Sequence, residues 1–210
     1  ANNKIYKKFL FYKLFFNESP DYSKNKRIEY YKYINKKYLK NNLYLKFKKI
    51  KNNKTIFGIA PGTGSLEKHK RWPWIEYVKL INNLKIKPDE IYIFGNEKNI
   101  ADLIANKIKF KSKIIRYKNI NKSLKKLLSI KMLITNDNGI ANFAAIYGVK
   151  CYIISGPNIP GPIKNLSNVN IIKQKMSCLP CYELMRYGCG NPVCLTTFEA
   201  SKVRKKINLN

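Results

Sequence analysis

From residue 55 onward the chain repeats one unit: a short run apolar at nearly every position, a turn, then a segment with apolar residues at helical spacing. The runs are "TIFGIA" (55–60), "EIYIFG" (90–95), "KIIRY" (113–117), "KMLITN" (131–136) and "KCYIIS" (150–155). Between them lie "WPWIEYVKLINNL" (72–84), "EKNIADLIANKI" (97–108), "KSLKKLLSI" (122–130) and "IANFAAIYG" (140–148), which read as helices, with Pro73 suited to a first turn. Strands apolar throughout, not alternating, are buried on both faces. That pattern predicts an α/β fold, a Rossmann-like doubly wound parallel sheet with helices on either side and right-handed crossovers. The final "TTFEASKVRKKI" (196–207) reads as one capping helix, with Thr197 at its N-cap. Residues 1–50 break the rhythm. They are rich in Lys, Tyr, Asn and Phe, and "KNKRIEYYKYINKKYLK" (24–40) carries Ile28, Tyr31, Ile34 and Tyr38 at helical spacing. We expect a helical segment at 1–50, a linker or the remnant of a further domain, and the α/β domain at 51–210.

An open parallel sheet binds its ligands beyond the carboxyl ends of its strands. Three loops converge there: Pro61–Arg71, Gly95–Glu97 and Asn136–Ile140. The first contains Gly62, Thr63, Gly64 and Ser65, followed by Lys68, His69, Lys70 and Arg71. Glycines let the backbone approach an anion, hydroxyls donate to it, and the basic side chains add charge-assisted contacts. The spacing is not that of a Walker loop. By itself the stretch reads equally as an ordinary turn with a solvated basic face. The third loop, Asp137-Asn138-Gly139, opens a helix, whose free N–H groups and positive end favour an anion. Asp137 reads either as part of such a site or simply as that helix's N-cap.

Two stretches together, "FGIAPGTG…KRWP" and "LITNDNGIANFAAIYGVKCYIISGP", resemble the paired motifs of the family 9 glycosyltransferases, the heptosyltransferases and their relatives. The resemblance covers roughly residues 52–207. It implies the C-terminal, donor-binding half of a GT-B fold, with the acceptor and its general base on an N-terminal half. It implies transfer of a sugar, ADP-heptose being the expected donor, to a lipid-linked saccharide of the lipopolysaccharide type. No cofactor is then required, and the work is placed in the cytoplasm, peripherally at the inner membrane. Carried over by residue, Gly62, Thr63 and Gly64 meet the donor phosphates, and Lys70 neutralises phosphate or holds the sugar. Glu97 binds the ribose, and Lys122 lies near the base. Asp137 orients the sugar, and the amides of Asn138, Gly139 and Ile140 hold the diphosphate. Lys70 and Asp137 are the expected catalytic pair. Two positions depart from the pattern. Asn138 replaces a Ser or Thr, and Asn142 replaces a His. An amide donates a hydrogen bond but carries no imidazolium charge.

Charge decides among the remaining classes. Lys and Arg number 42 against 12 Asp and Glu, a net charge of +30. The charge is mostly Lys, spread along the chain among Asn, Ile and Tyr, with no compact basic motif, so nucleic-acid binding is disfavoured. A general attraction to phosphate-bearing ligands and anionic lipid is expected instead. No apolar run approaches the length of a membrane span. A non-catalytic nucleotide-binding or interaction module is the alternative from another class, motivated by Asn142 and the missing half. Cys178, Cys181, Cys189 and Cys194 cluster after the last strand, in a spacing that suits a structural zinc site, free thiols or disulfides. Cys151 reads as a buried strand residue.

Overall fold

The structure, a computed structural model, describes residues 50 and 52–207 apart from 65, 66, 96, 97, 117–119, 159, 161, 180, 182–188 and 190. The helix expected within 1–50 lies outside them, as does Glu97. Among the described residues six strands form one sheet: β1 (Ile56–Ala60), β2 (Glu90–Phe94), β3 (Ser112–Ile115), β4 (Met132–Asn136), β5 (Lys150–Ile154) and β6 (Val169–Ile172). All pairings are parallel and the order is β3-β2-β1-β4-β5-β6. That is the doubly wound order, with its switch point between β1 and β4. The helices are α1 (Trp74–Asn82), α2 (Lys98–Ala105), α3 (Ile120–Leu128), α4 (Gly139–Ile146), α5 (Val193–Thr196) and α6 (Ala200–Arg204).

Alternate side chains of each strand enter opposite layers. Phe57, Ile59, Ile91, Ile93, Ile134 and Tyr152 pack with Tyr77, Leu80 and Ile81 of α1, Ile104 of α2 and Val203 of α6. Ile56, Tyr92, Phe94, Leu133 and Ile153 pack with Leu127 of α3 and with Ala141, Ala144 and Ala145 of α4. The three alanines let α4 lie close to the sheet. It ends at Gly148, whose φ of +75° is the left-handed conformation of a helix C-terminus. The amide of Val149 then returns to the Ala144 carbonyl at 2.9 Å.

Three expectations differ from the structure. β6 was not read: in "VNII" only Ile172 is buried, because an edge strand needs less apolar surface than a central one. β3 begins one residue early, at Ser112, and Arg116 already lies beyond it. The C-terminal segment is two short helices, not one over 196–207, and Thr197 is no N-cap. It ends α5, its hydroxyl donating to the Val193 carbonyl at 2.7 Å. Tertiary contacts break the helix there. The Phe198 carbonyl accepts from Trp72 Nε1 at 2.6 Å, and the buried Glu76 of α1 accepts from the Ala200 amide at 2.7 Å, capping α6 from another element.

Gly58 sits mid-β1, closely packed by core side chains. A Cβ there would meet Ile130 Cδ1 at 2.5 Å and Leu133 Cδ1 and Phe94 Cε2 at 3.1 Å. Gly58→Ala is expected to destabilise the fold by about 1–3 kcal/mol through overpacking. Urea unfolding followed by circular dichroism measures this.

Candidate functional site

The switch point is where the functional loops meet. β1 delivers Pro61 to Gly64, β4 delivers Asn136 to Asn138, and α4 starts at Gly139. They border a cavity of about 450 Å³, within the range of small-molecule sites. Its lining is of two kinds. One is backbone and small polar groups: Gly62, Thr63, Gly64, Asn138 and Gly139. The other is apolar, with Phe94, Ile100, Leu124, Leu127 and Phe143, and with the buried Ser123 among them. A flat aromatic base suits the second kind, and an anionic group suits the first.

Asn136 holds this region together. It is completely buried at the end of β4. Its Oδ1 accepts from the Trp72 amide at 3.1 Å and the Tyr77 hydroxyl at 2.9 Å, while its Nδ2 donates to the Pro61 carbonyl at 2.6 Å. Burial pushes the Tyr77 phenol well above its ordinary range, which keeps it a donor. Asn138 makes the neighbouring link. Its Nδ2 donates to the carbonyls of Ala60 at 3.1 Å and Gly62 at 2.7 Å, and its Oδ1 accepts from the Ala141 amide at 3.0 Å. Asn138, not Asp137, is therefore the N-cap of α4. Gly139 and Ile140 are the first two residues of that turn, and both line the cavity. A Cβ on Gly139 would meet nothing within 4 Å.

With the cap assigned to Asn138, the Asp137 carboxylate takes up other partners. Its Oδ2 lies 3.6 Å from Lys70 Nζ and accepts a hydrogen bond from Asn158 Nδ2. Lys70 is also bound at 2.6 Å by Glu67. Burial works against the Lys70 charge, but the bond to Glu67 and the field of Asp137 outweigh it and hold the ammonium above its ordinary value. Both side chains are largely covered, at 13% and 14% exposure for Lys70 and Asp137, so the pair is poorly screened. The glycine loop is closed upon itself. The Thr63 hydroxyl donates to the Glu67 carbonyl at 2.8 Å and accepts from Arg71 Nε at 3.0 Å.

The structure thus brings Gly62, Thr63, Gly64, Asn138, Gly139 and Ile140 to one cavity, with Lys70 and Asp137 adjoining it through the chain next to Asn138. Asn142 is exposed on α4 and does not line it. Lys122 lines a second hollow, with Arg116, Lys125 and Lys126. Glu97 is not described. Cys178, Cys181, Cys189 and Cys194 are free thiols, and among the described residues no group of three or more His, Cys, Asp or Glu side chains stands where it could hold a metal ion. The thiols nonetheless sense one another. Burial first, then the neighbouring cysteines, raise Cys194 to about 11. Glu67, Asn136 and Asn158 were not singled out from sequence. An Asn at a strand end or in a Pro-Gly turn gives no sign of which side chain it will meet.

A glycine loop, a helix N-terminus and an apolar lining at the switch point place this chain among the doubly wound α/β domains, whose ligand clefts open at the carboxyl ends of the strands. The comparisons specify the class. The family model for glycosyltransferase family 9 (heptosyltransferase) matches residues 11–187, and the chain belongs to that family. Lipooligosaccharide heptosyltransferase 2 of Campylobacter jejuni serotype O:6 is 32% identical over 145 residues, which are 64% of this chain and 45% of that relative. The chain thus spans about half the length of the curated relatives it matches. Among solved structures, E. coli ADP-heptose LPS heptosyltransferase II superposes with a TM-score of 0.59 at 18% identity, covering 75% of this chain and 46% of that one. The family 9 glycosyltransferase of Veillonella parvula does so with a TM-score of 0.57 at 16% identity, covering 84% and 50%. These two likenesses establish the fold.

Asn136→Ala leaves a buried amide, a hydroxyl and a carbonyl without partners. At ~1–3 kcal/mol for each buried group so stranded, a stability loss of at least about 3 kcal/mol is expected in urea unfolding. Cys151 is buried in β5, and burial pushes its thiol up to about 12. Alkylation of the native chain at about pH 8, well below that value, should therefore spare Cys151 and modify the exposed Cys189. Mass spectrometry of the peptides reads this directly.

Proposed function

We propose that this chain supplies the donor half of a heptosyltransferase, which transfers heptose from ADP-heptose to a lipopolysaccharide-type acceptor. The observation that carries this reading is the cavity at the switch point, lined by glycine-loop and helix-start groups together with apolar side chains, with the Lys70–Asp137 pair adjoining it next to Asn138. The family membership and the relatives' own names support the donor and the acceptor. In this reading the apolar lining takes adenine, and Glu97 takes the ribose. Lys122 lies in a second hollow that shares Ser123 with the cavity. The Gly62–Gly64 backbone and the amides of Asn138, Gly139 and Ile140 take the diphosphate.

The chemistry follows from charge. The acceptor hydroxyl attacks the anomeric carbon, the bond from that carbon to the diphosphate oxygen breaks, and the leaving diphosphate gains charge. Lys70 and the helix amides meet that charge without a metal, in a site that costs no reorganisation during the step. A phosphate oxygen reaching Lys70 competes with Glu67, which stands 2.6 Å away. Asp137 receives sugar hydroxyls. The base that deprotonates the acceptor belongs to the N-terminal half of the enzyme. The acceptor is lipid-linked, and the net charge of +30 supports peripheral attraction to anionic lipid at the cytoplasmic face. Among the described residues no helix is long and apolar enough to cross a membrane.

Calorimetric titration with ADP, UDP and GDP at ~150 mM salt tests the main reading, since that ionic strength damps nonspecific attraction. ADP is expected to bind with saturation. Lys70→Ala should weaken it by about tenfold, the loss of roughly 1.4 kcal/mol of charge-assisted contact. Binding of none of the three would favour the interaction-module reading instead.

A further inference from the structure

We propose that Asn158 is a positioning residue for Asp137, and through it for the sugar of the donor; this rests on reading the cavity as a donor site. Asn158 lies in the turn after β5, outside the residues that line the cavity. The turn is fixed from both sides. The buried Ser155 donates its hydroxyl to the Asn158 carbonyl. Gly156 is pressed against α5, where a Cβ would stand 2.6 Å from Leu195 Cγ and 3.2 Å from Cys194 Sγ. Held in this way, the Asn158 side chain donates its Nδ2 to Asp137 Oδ2.

That oxygen is the one facing Lys70 at 3.6 Å. An amide and an ammonium therefore share Oδ2, and among the described residues Oδ1 has no hydrogen-bond partner. A carboxylate anchored through one oxygen presents the other in a fixed direction, which is what recognition of a sugar hydroxyl requires. A neutral donor suits the task. A second cation would drain the charge of Asp137, and a second carboxylate would repel it. The C-terminal segment thereby acquires a part in the site: α5 holds Gly156, the turn holds Asn158, and Asn158 holds Asp137.

The test uses the whole chain, with ADP and ADP-heptose as separate titrants in calorimetry. Asn158→Ala should weaken ADP-heptose about fivefold, the size of one ordinary hydrogen bond lost, and leave ADP within about twofold. A merely structural role would weaken both alike. Asn158→Asp adds a pH signature. When protonated, the new carboxyl donates to Asp137 as the amide does; when ionised, it repels Asp137. Asp137 raises the pKa of the new carboxyl and the Lys70 ammonium, itself paired with Glu67, opposes that rise, so ADP-heptose affinity relative to the native chain should fall as the pH rises from 5 to 8. Thermal melts of both variants check that they fold. An unchanged ADP-heptose to ADP ratio in Asn158→Ala, or no pH dependence in Asn158→Asp, overturns the role of Asn158 alone. A native chain that binds neither titrant overturns the donor-site reading and this inference with it.

Discussion

One buried amide organises the functional end of this domain. Asn136 closes β4 and hydrogen-bonds to three other places in the chain: the carbonyl that opens the glycine loop, the amide that follows the basic turn, and a tyrosine on α1. Each of those groups is buried or nearly so, and none has water to fall back on. The loop after β1 can therefore take only the path that offers Pro61 to Asn136. Lys70, two residues before Trp72, is carried into place by the same bond. Asn138, two residues after Asn136, repeats the device at the cavity wall. It ties the loop carbonyls to the first turn of α4. A hydroxyl at that position has a single hydrogen to donate and could not bind both carbonyls while capping the helix as this amide does.

The electrostatics follow from that scaffold. In a chain with 12 carboxylates against 42 basic side chains, a lysine with two carboxylates beside it is not expected from composition. Lys70 has Glu67 and Asp137, and one ammonium between two carboxylates makes this spot beside the cavity locally negative within a strongly positive molecule. General attraction brings any anion towards the domain. Local pairing makes entry at Lys70 a competition, which selects ligands that bring enough charge to displace Glu67. A ligand group with two or more negative charges has that advantage, where a lone carboxylate has little.

The sheet was legible because its central strands are buried on both faces and say so at every residue. β6 was not, since three of its four side chains need no full burial. The C-terminal helix was misread for a different reason. Its propensity was sound, but Trp72 and Glu76, more than a hundred residues earlier in the chain, claim the backbone where the helix would have run. The same division holds at the site. Gly62, Gly139 and Asp137 could be marked because special backbone and charge at strand ends have few other uses. The partners of Asp137 could not. A sequence shows that a carboxylate stands at a helix mouth, but whether it caps the helix depends on the next residue, Asn138, having the better geometry.

That last competition has a consequence for the family departure at position 138. With a hydroxyl residue there, cap and loop contacts draw on one oxygen. With Asn, the cap is accepted by Oδ1 and the loop is held by Nδ2. Asp137 is released from any capping duty, and its carboxylate is free to be held from the far side by the turn after β5. Asn142 is exposed one turn further along α4 and takes no part in this network. The two asparagines are therefore not equivalent departures. Asn138 is built into the frame that sets the direction of Asp137. Asn142 lies on an exposed surface of α4, outside the cavity lining, where an imidazole would add charge without altering the frame.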